Sequence, residues 1–113
     1  MKIVEGQITI DELKEMSKKM FGNLVKTVVD VEKEIMVVDG ELHADEQVLL
    51  VESGSKYEDL WGINIYPEIT DENWIEFDSM INLKPALGHR TRGMENKEIK
   101  EKIIQIVNKL VKK

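Results

Sequence analysis

Three side chains that can bind a metal ion or transfer a proton occupy alternate positions in one short segment. They are Glu41, His43 and Asp45. Alternate residues of an extended segment project to one side, so the two carboxylates and the imidazole would converge. Such a group could bind a divalent cation or provide an acid–base residue. The simpler interpretation is a polar connection from a strand to a helix, in which Asp45 is the N-cap and His43 is partly exposed. At this spacing we predict no metal site.

Both arginines of the chain lie in one predicted loop, close to a lysine and a histidine. The loop contains Lys84, His89, Arg90 and Arg92 and has glycines at positions 88 and 93. Guanidinium groups bind carboxylate or phosphate through two parallel hydrogen bonds. We therefore predict an anion site formed by Arg90, Arg92 and Lys84, with the cluster at positions 41, 43 and 45 as its polar neighbour. The alternative is that the arginines pair with acidic residues of the same chain.

A third group of polar residues lies on one face of a predicted strand over residues 74–83. Glu76, Asp78 and Asn82 share that face, and Asp30 could lie beside them on a neighbouring strand. Neighbouring carboxylates can hold a metal ion or share a proton. The alternative is the solvated face of an antiparallel sheet that is covered on one side only.

Four aromatic residues cluster around two predicted strands. They are Tyr57, Trp61, Tyr66 and Trp74. Large aromatic side chains can line a pocket or a homodimer face, and they can equally fill the core around a sheet. Both interpretations stay open.

The net charge of −6 hides a strong asymmetry along the chain. Residues 1–26 carry +1, residues 27–83 carry −13 and residues 84–113 carry +6. Binding to a phosphate backbone needs cationic neutralisation, so the acidic middle disfavours nucleic acid as a partner. The basic last third can either neutralise the acidic strands or attract an outside anion.

The length of 113 residues predicts one domain over positions 1–113. The absence of cysteine excludes disulfides, thiol catalysis and cysteine-based zinc sites. No apolar run exceeds four residues, which predicts neither a membrane span nor a signal peptide. We therefore expect a soluble, cytoplasmic protein that does not bind membranes.

Three helices that could position these groups are predicted, the first and the last from capping residues and helical periodicity. A capping residue at Thr9 and the helix-stopping Gly22 predict a first helix over 10–21. Asn96 begins a long final helix. The run Val48–Val51 fits a short helix or a buried strand, and the acids before it favour the helix.

Period-two alternation, together with short apolar β-branched runs over 2–4 and 35–38, predicts the strands. They cover residues 25–32, 35–38, 60–66 and 74–83, with a small edge strand over 2–4. The turn between the strands at 60–66 and 74–83 is polar, which predicts that they pair antiparallel, and residues 84–93 are predicted to be loop. The sequence thus predicts an α+β fold: an antiparallel sheet of about four strands with an N-terminal helix, a short middle helix and a long C-terminal helix.

Three segments of the chain carry a resemblance to a known family. They are GELHAD at 40–45, EDLWGINIYP at 58–67 and FDSMINLKP at 77–85. They resemble a small prokaryotic family known only as a domain of unknown function, and the resemblance covers nearly the whole chain. It implies a stand-alone single-domain protein and brings no activity with it.

These observations favour a binding module for a small anion or a protein partner. One alternative is a small hydrolase or ribonuclease, with His43 as acid or base and Arg90 stabilising the charge of a phosphate. Another is a structural or regulatory homo-oligomer assembled through the strands that carry the tryptophans. No motif identifies a cofactor.

Overall fold

Seven strands and three helices make up the fold, and the computed structural model describes residues 1–113. In chain order they are β1 (Lys2–Val4), β2 (Ile8–Thr9), α1 (Ile10–Lys19), β3 (Val25–Asp30), β4 (Ile35–Val38), α2 (His43–Glu52), β5 (Leu60–Ile65), β6 (Ile75–Glu76), α3 (Lys97–Leu110) and β7 (Val111–Lys112). Single-turn 3-10 helices lie at Tyr57–Asp59, Glu72–Trp74, Met80–Asn82 and Pro85–Leu87. The predicted α+β class is confirmed, as is the helical interpretation of Val48–Val51.

The first and last helices begin where the sequence predicts. The hydroxyl of Thr9 accepts a hydrogen bond from the backbone N–H of Glu12 at 3.1 Å. The side chain of Asn96 accepts one from the N–H of Ile99 at 3.1 Å. Both bonds satisfy a donor that a helix start leaves without an intrahelical partner. Helix α1 ends at Lys19, two residues earlier than predicted.

The main sheet has five strands in the order β1-β4-β3-β5-β6, and every pair in it is antiparallel. Strand β3 lies at its centre and pairs with β5 along all six residues. The predicted edge strand over 2–4 is confirmed as β1. The sequence analysis did not predict the second pair, in which β2 and β7 run parallel and join the two ends of the chain.

Helices α1 and α3 cover one face of the sheet. Side chains of β3 that alternate along the strand, such as Val25 and Val29, pack in one cluster with Leu13 of α1 and Ile103 and Ile106 of α3. Burial of large aliphatic side chains is the main source of stability in a domain of this size. This cluster of 18 buried residues is the principal core.

Helix α2 covers the opposite face. The second cluster contains Val28 of β3, Val37 of β4, Leu50 of α2 and Leu60 of β5. It holds four buried residues, so α2 covers that face less extensively. The uncovered part of this face is where polar side chains of β3 and β5 meet the start of α2.

The predicted long strand over 74–83 is wrong beyond its first residues. Only Ile75–Glu76 pair with β5. Further along, the side chain of Asn82 accepts the backbone N–H of Gly62 at 2.8 Å and donates to the carbonyl of Gly62 at 3.0 Å. These are the backbone groups that a further strand would bond, and a side-chain amide competes with a strand for them. The chain therefore leaves the sheet after Glu76.

Candidate functional site

A cavity of about 230 Å³ lies where helix α2 begins over the polar part of the sheet. Ten residues line it: Lys26, Leu42, His43, Ala44, Asn64, Asp78, Ser79, Met80, Ile81 and Arg92. They come from β3, from the start of α2, from β5 and from the two segments that follow β6. The fold thus gathers charged and polar side chains that are far apart in the sequence.

The start of α2 is presented to the cavity without a side-chain cap. Leu42 is the N-cap residue, and its side chain forms no capping hydrogen bond. The first N–H groups of a helix have no intrahelical acceptor, and the helix dipole makes this end positive. Just before it, Asp39 adopts a left-handed backbone with φ of 66°. This turn brings the N–H of Gly40 to within 3.1 Å of an oxygen of Glu46, which fixes the turn on the helix.

His43 is the first residue of α2 and is only 9% exposed. Its Nε2 lies 2.8 Å from the carbonyl oxygen of Ile63. A carbonyl can only accept, so Nε2 must carry the proton and Nδ1 of the neutral ring is a bare acceptor. Burial lowers the pKa of His43, which keeps the ring neutral at pH 7.

Asp78 and Arg92 form an ion pair at the rim of the cavity. The Nε of Arg92 donates to a carboxylate oxygen of Asp78 at 2.7 Å. The backbone carbonyl of Arg92 accepts from the N–H of Ser79 at 3.0 Å and from the side chain of Asn82 at 2.9 Å. These backbone bonds hold the position of Arg92, although its side chain is about half exposed. The terminal NH₂ groups of the guanidinium remain available to a ligand.

Lys26 and Asn64 line the side of the cavity that is formed by the sheet. They are directly opposite each other in β3 and β5. The amide nitrogen of Asn64 donates to Glu76 at 2.9 Å and to the carbonyl of Asp78 at 3.3 Å. The amide oxygen of Asn64 is buried and accepts no hydrogen bond. Lys26 is half-buried, and its ammonium lies 5.0 Å from the centre of the Phe21 ring.

The cavity therefore combines two cations with one carboxylate and several polar groups. Lys26 and Arg92 are positive, Asp78 is negative, and the start of α2 adds partial positive charge. This arrangement can bind an anion. No three histidine, aspartate or glutamate side chains lie close enough together to hold a metal ion.

Comparison with known sequences places the chain in a family. The sequence model of the family described as "Protein of unknown function (DUF5674)" matches residues 2–110. The chain belongs to the DUF5674 family. No curated protein and no solved structure matches it. None of the helices of this DUF5674 protein combines the length and the hydrophobicity needed to cross a bilayer.

The structure does not bring together the predicted cluster of Glu41, His43 and Asp45. The expected extended segment is absent because helix α2 begins at His43. Glu41 and Asp45 are exposed, whereas His43 is buried against the sheet. The predicted N-cap at Asp45 is also wrong, because Leu42 has that place. Of the three, only His43 lines the cavity.

Lys84 does not line the cavity that contains Arg92. Its ammonium donates to the carbonyl of Ile81 at 2.9 Å and lies 4.0 Å from the centre of the Tyr57 ring and 4.9 Å from that of Trp61. Burial lowers the pKa of Lys84 to about 8. Lys84 is 2% exposed and does not line the cavity, so its ammonium interacts with the protein itself.

The two arginines have different surroundings. Arg92 lines the cavity, whereas Arg90 is exposed and outside it. His89 lies between Lys84 and Arg90 in the sequence. Its ring packs against Trp61, with the ring centres 4.6 Å apart. The structure thus brings His43 together with Arg92 and does not place Arg90 in the same cavity.

The third predicted group is only partly brought together: Glu76 and the backbone of Asp78 both accept from the amide of Asn64, whereas Asp30 and Asn82 have other partners. Asp30 is buried beneath the turn after β3, where it accepts hydrogen bonds from the N–H groups of Glu32 and Lys33 and from the hydroxyl of Ser55. Its role is to hold that turn. Asn82 binds the backbone of the sheet edge, as described above, and only Asp78 of this group lines the cavity.

The aromatic residues also divide. Trp61 and Trp74 are 2% and 4% exposed and belong to the principal core. Tyr57 lies over Lys84, and the hydroxyl of Tyr66 donates to Glu76 at 3.0 Å. For the tryptophans, core filling is the interpretation that the structure supports.

Sequence reasoning missed Lys26, Asn64 and Ser79 as lining residues. A signal was present for the first two, because both interrupt strands whose other residues are mostly apolar. Their proximity could not be predicted without the register of β3 against β5.

Proposed function

We propose that this protein binds a small anion in the cavity at the start of α2. The observation that carries the proposal is the pair of cations, Lys26 and Arg92, lining one cavity with a single carboxylate, Asp78. These side chains leave one positive charge, and the uncapped helix start adds to it. The protein as a whole carries a net charge of −6, whereas this cavity is locally positive. The local positive charge favours the binding of an anion there.

The ion pair of Arg92 with Asp78 is compatible with this proposal. The pair involves Nε of the guanidinium, and both side chains are about half exposed. Exposed pairs of this kind contribute little to stability, on the order of 1 kcal/mol or less. The carboxylate instead fixes the direction of the guanidinium, whose remaining N–H groups can bind an anion.

The volume of the cavity sets the size of the ligand. About 230 Å³ corresponds to roughly seven or eight water molecules at about 30 Å³ each. That volume fits an oxyanion or a small organic acid and falls below the usual range for drug-sized ligands, roughly 300–1,000 Å³.

Affinity measurements on matched variants test the proposal. Calorimetric or thermal-shift titration with inorganic phosphate and with acetate gives the dissociation constants of the parent protein. We expect Lys26→Met and Arg92→Met each to weaken binding about tenfold, because each removes a charged hydrogen-bond donor. Arg90→Met is the control and leaves binding unchanged. Equal losses in Arg90→Met and Arg92→Met, or no stabilisation of the parent by either anion, would contradict the proposal.

A second candidate function is hydrolysis of a phosphate ester. The observation that favours it is the bare Nδ1 of His43 in the same cavity as Arg92. Nδ1 would accept a proton from the water whose oxygen attacks phosphorus, and Arg92 would stabilise the developing charge. The P–O bond to the alcohol would break, and the imidazolium would return the proton to the leaving alkoxide. Arg92 has here the role that the sequence analysis gave to Arg90.

A hydrolysis assay separates the two functions. The probes are p-nitrophenyl phosphate and bis(p-nitrophenyl) phosphate, and the readout is released p-nitrophenol. A hydrolase would lose turnover at least a hundredfold in His43→Gln, because general base catalysis contributes on the order of 10²–10⁴. A parent protein that binds phosphate and releases no p-nitrophenol is a binding module.

A further inference from the structure

We infer that the ligand of this cavity is a small hydroxylated organic anion, whose hydroxyl donates to acceptors on the floor of the cavity. This inference rests on the proposed function and specifies its ligand class. The anionic group, a carboxylate or a phosphate ester, would face Lys26, Arg92 and the start of α2. The hydroxyl would face His43 and Asn64.

His43 supplies the first acceptor. Because its Nε2 donates to the carbonyl of Ile63 at 2.8 Å, the lone pair of Nδ1 is free in the neutral ring. No protein donor is bonded to Nδ1, although the residue is nine-tenths buried and lines the cavity. Because His43 lines the cavity, this free lone pair is a place for a donor from a ligand.

Asn64 supplies the second acceptor independently. Asn64 is only 7% exposed, and it lines the cavity. Its amide nitrogen is fixed by the acceptors Glu76 and Asp78, which determines that the other atom is the oxygen. That oxygen has no donor in the protein. Leaving such a buried atom unpaired is unfavourable, and a donor from a ligand would remove that penalty.

The local charge argues that this donor is neutral. An ammonium group on the ligand would be repelled by Lys26 and Arg92, and Asp78 is already bonded to Arg92. A hydroxyl donates without adding positive charge. An anion without a donor would satisfy the cations and leave both acceptors unpaired, so it should bind less tightly.

Pairs of anions that differ only in one hydroxyl test the inference. Glycolate is compared with acetate, and 2-hydroxyethyl phosphate with ethyl phosphate, by calorimetric titration of the parent protein at pH 7.5. We expect the hydroxylated member of at least one pair to bind about tenfold or more tightly than its partner. The pair that shows the difference identifies the anionic group as carboxylate or phosphate.

Nitrogen NMR of the imidazole rings gives a site-specific readout. The chain has two histidines, His43 and His89, and His89 lies outside the cavity against Trp61. On binding of the hydroxylated anion, the ¹⁵N resonance of His43 Nδ1 should move as that atom accepts a hydrogen bond, while the ring resonances of His89 stay in place. The matched anion without the hydroxyl should leave Nδ1 of His43 unmoved.

The outcomes separate this inference from the proposed function. Equal affinities within both pairs, with Arg92→Met weakening both members, overturn the hydroxyl inference and leave anion binding intact. No binding of any of the four anions overturns both. A tenfold preference without a change at Nδ1 of His43 also overturns the inference, because the hydroxyl is then recognised elsewhere.

Discussion

At the scale of the residue, His43 shows how placement determines what a side chain can do. The sequence predicts that an imidazole at this position could act in acid–base chemistry, and it groups the residue with Glu41 and Asp45. The helix separates it from both, and the carbonyl of Ile63 fixes its tautomer. The residue type could be read from the sequence, whereas its burial and its hydrogen-bond partner depend on a strand about 20 positions away.

The first prediction concerns the titration of His43. Burial lowers its pKa below the ordinary 6.5, so the unfolded chain takes up a proton at a higher pH than the folded protein does. The free energy of unfolding should therefore fall as the pH is lowered below about 6.5. Urea denaturation between pH 5 and pH 7.5 measures this slope, and His43→Gln should reduce it. An unchanged slope in the variant would show that other groups cause it.

The second prediction concerns Glu46, which is fully buried in α2. Burial raises its pKa to about 9, against 4.5 for an ordinary glutamate. The folded protein thus holds a proton that the unfolded chain releases, and the free energy of unfolding should fall as the pH rises from about 4.5 towards 9. Glu46→Gln should flatten this dependence, since its carboxamide oxygen can still accept from Gly40.

The control for this prediction is Glu41→Gln, which removes an exposed carboxylate from the same segment. Thermal denaturation at pH 5 and pH 8 compares the three proteins. The melting temperature of Glu46→Gln, relative to that of the parent, should be higher at pH 8 than at pH 5. A constant difference would mean that Glu46 is ionised in the folded protein.

At the scale of the element, most of the fold follows from local patterns. Capping residues and helical periodicity predict α1 and α3, and the acids before Val48–Val51 favour α2. Alternation predicts β3 and β5, and apolar β-branched runs predict β1 and β4. The predicted strand is wrong over residues 77–83. Alternation indicates which side chains could face a core, but it does not show which groups will form hydrogen bonds with the backbone of the neighbouring strand. There the side chain of Asn82 bonds to Gly62, and the segment becomes a wall of the cavity.

The third prediction tests that wall. A Cβ at Gly62 would lie 2.5 Å from the hydroxyl oxygen of Ser79, so Gly62→Ala must push the segment away from β5. We expect a loss of about 1–3 kcal/mol in the free energy of unfolding, as for overpacking in a core, together with weaker phosphate binding. Gly6→Ala is the control, because a Cβ at Gly6 meets nothing within 4 Å. Unchanged stability and binding in Gly62→Ala would contradict the described contact.

At the scale of the whole molecule, folding redistributes the charge that the sequence separates. The basic last third partly neutralises the acidic middle: Lys102 and Lys109 each lie 3.2 Å from the carboxylate of Glu34. Their hydrogen bonds lower the pKa of Glu34. The cavity takes Lys26, Asp78 and Arg92 from the three differently charged segments of the chain. Net charge per segment could be read from the sequence, but the cavity depends on the order of strands in the sheet.

The central claim is that the positively charged cavity at the start of α2 binds small anions. The most direct test is a titration of the ¹⁵N-labelled protein with phosphate, followed through its backbone amide resonances. The largest shifts are expected at His43 and Ala44 and in the segment 78–80, with little change along α3, which carries three exposed lysines. Shifts centred on α3, or no shifts at all, would contradict the account.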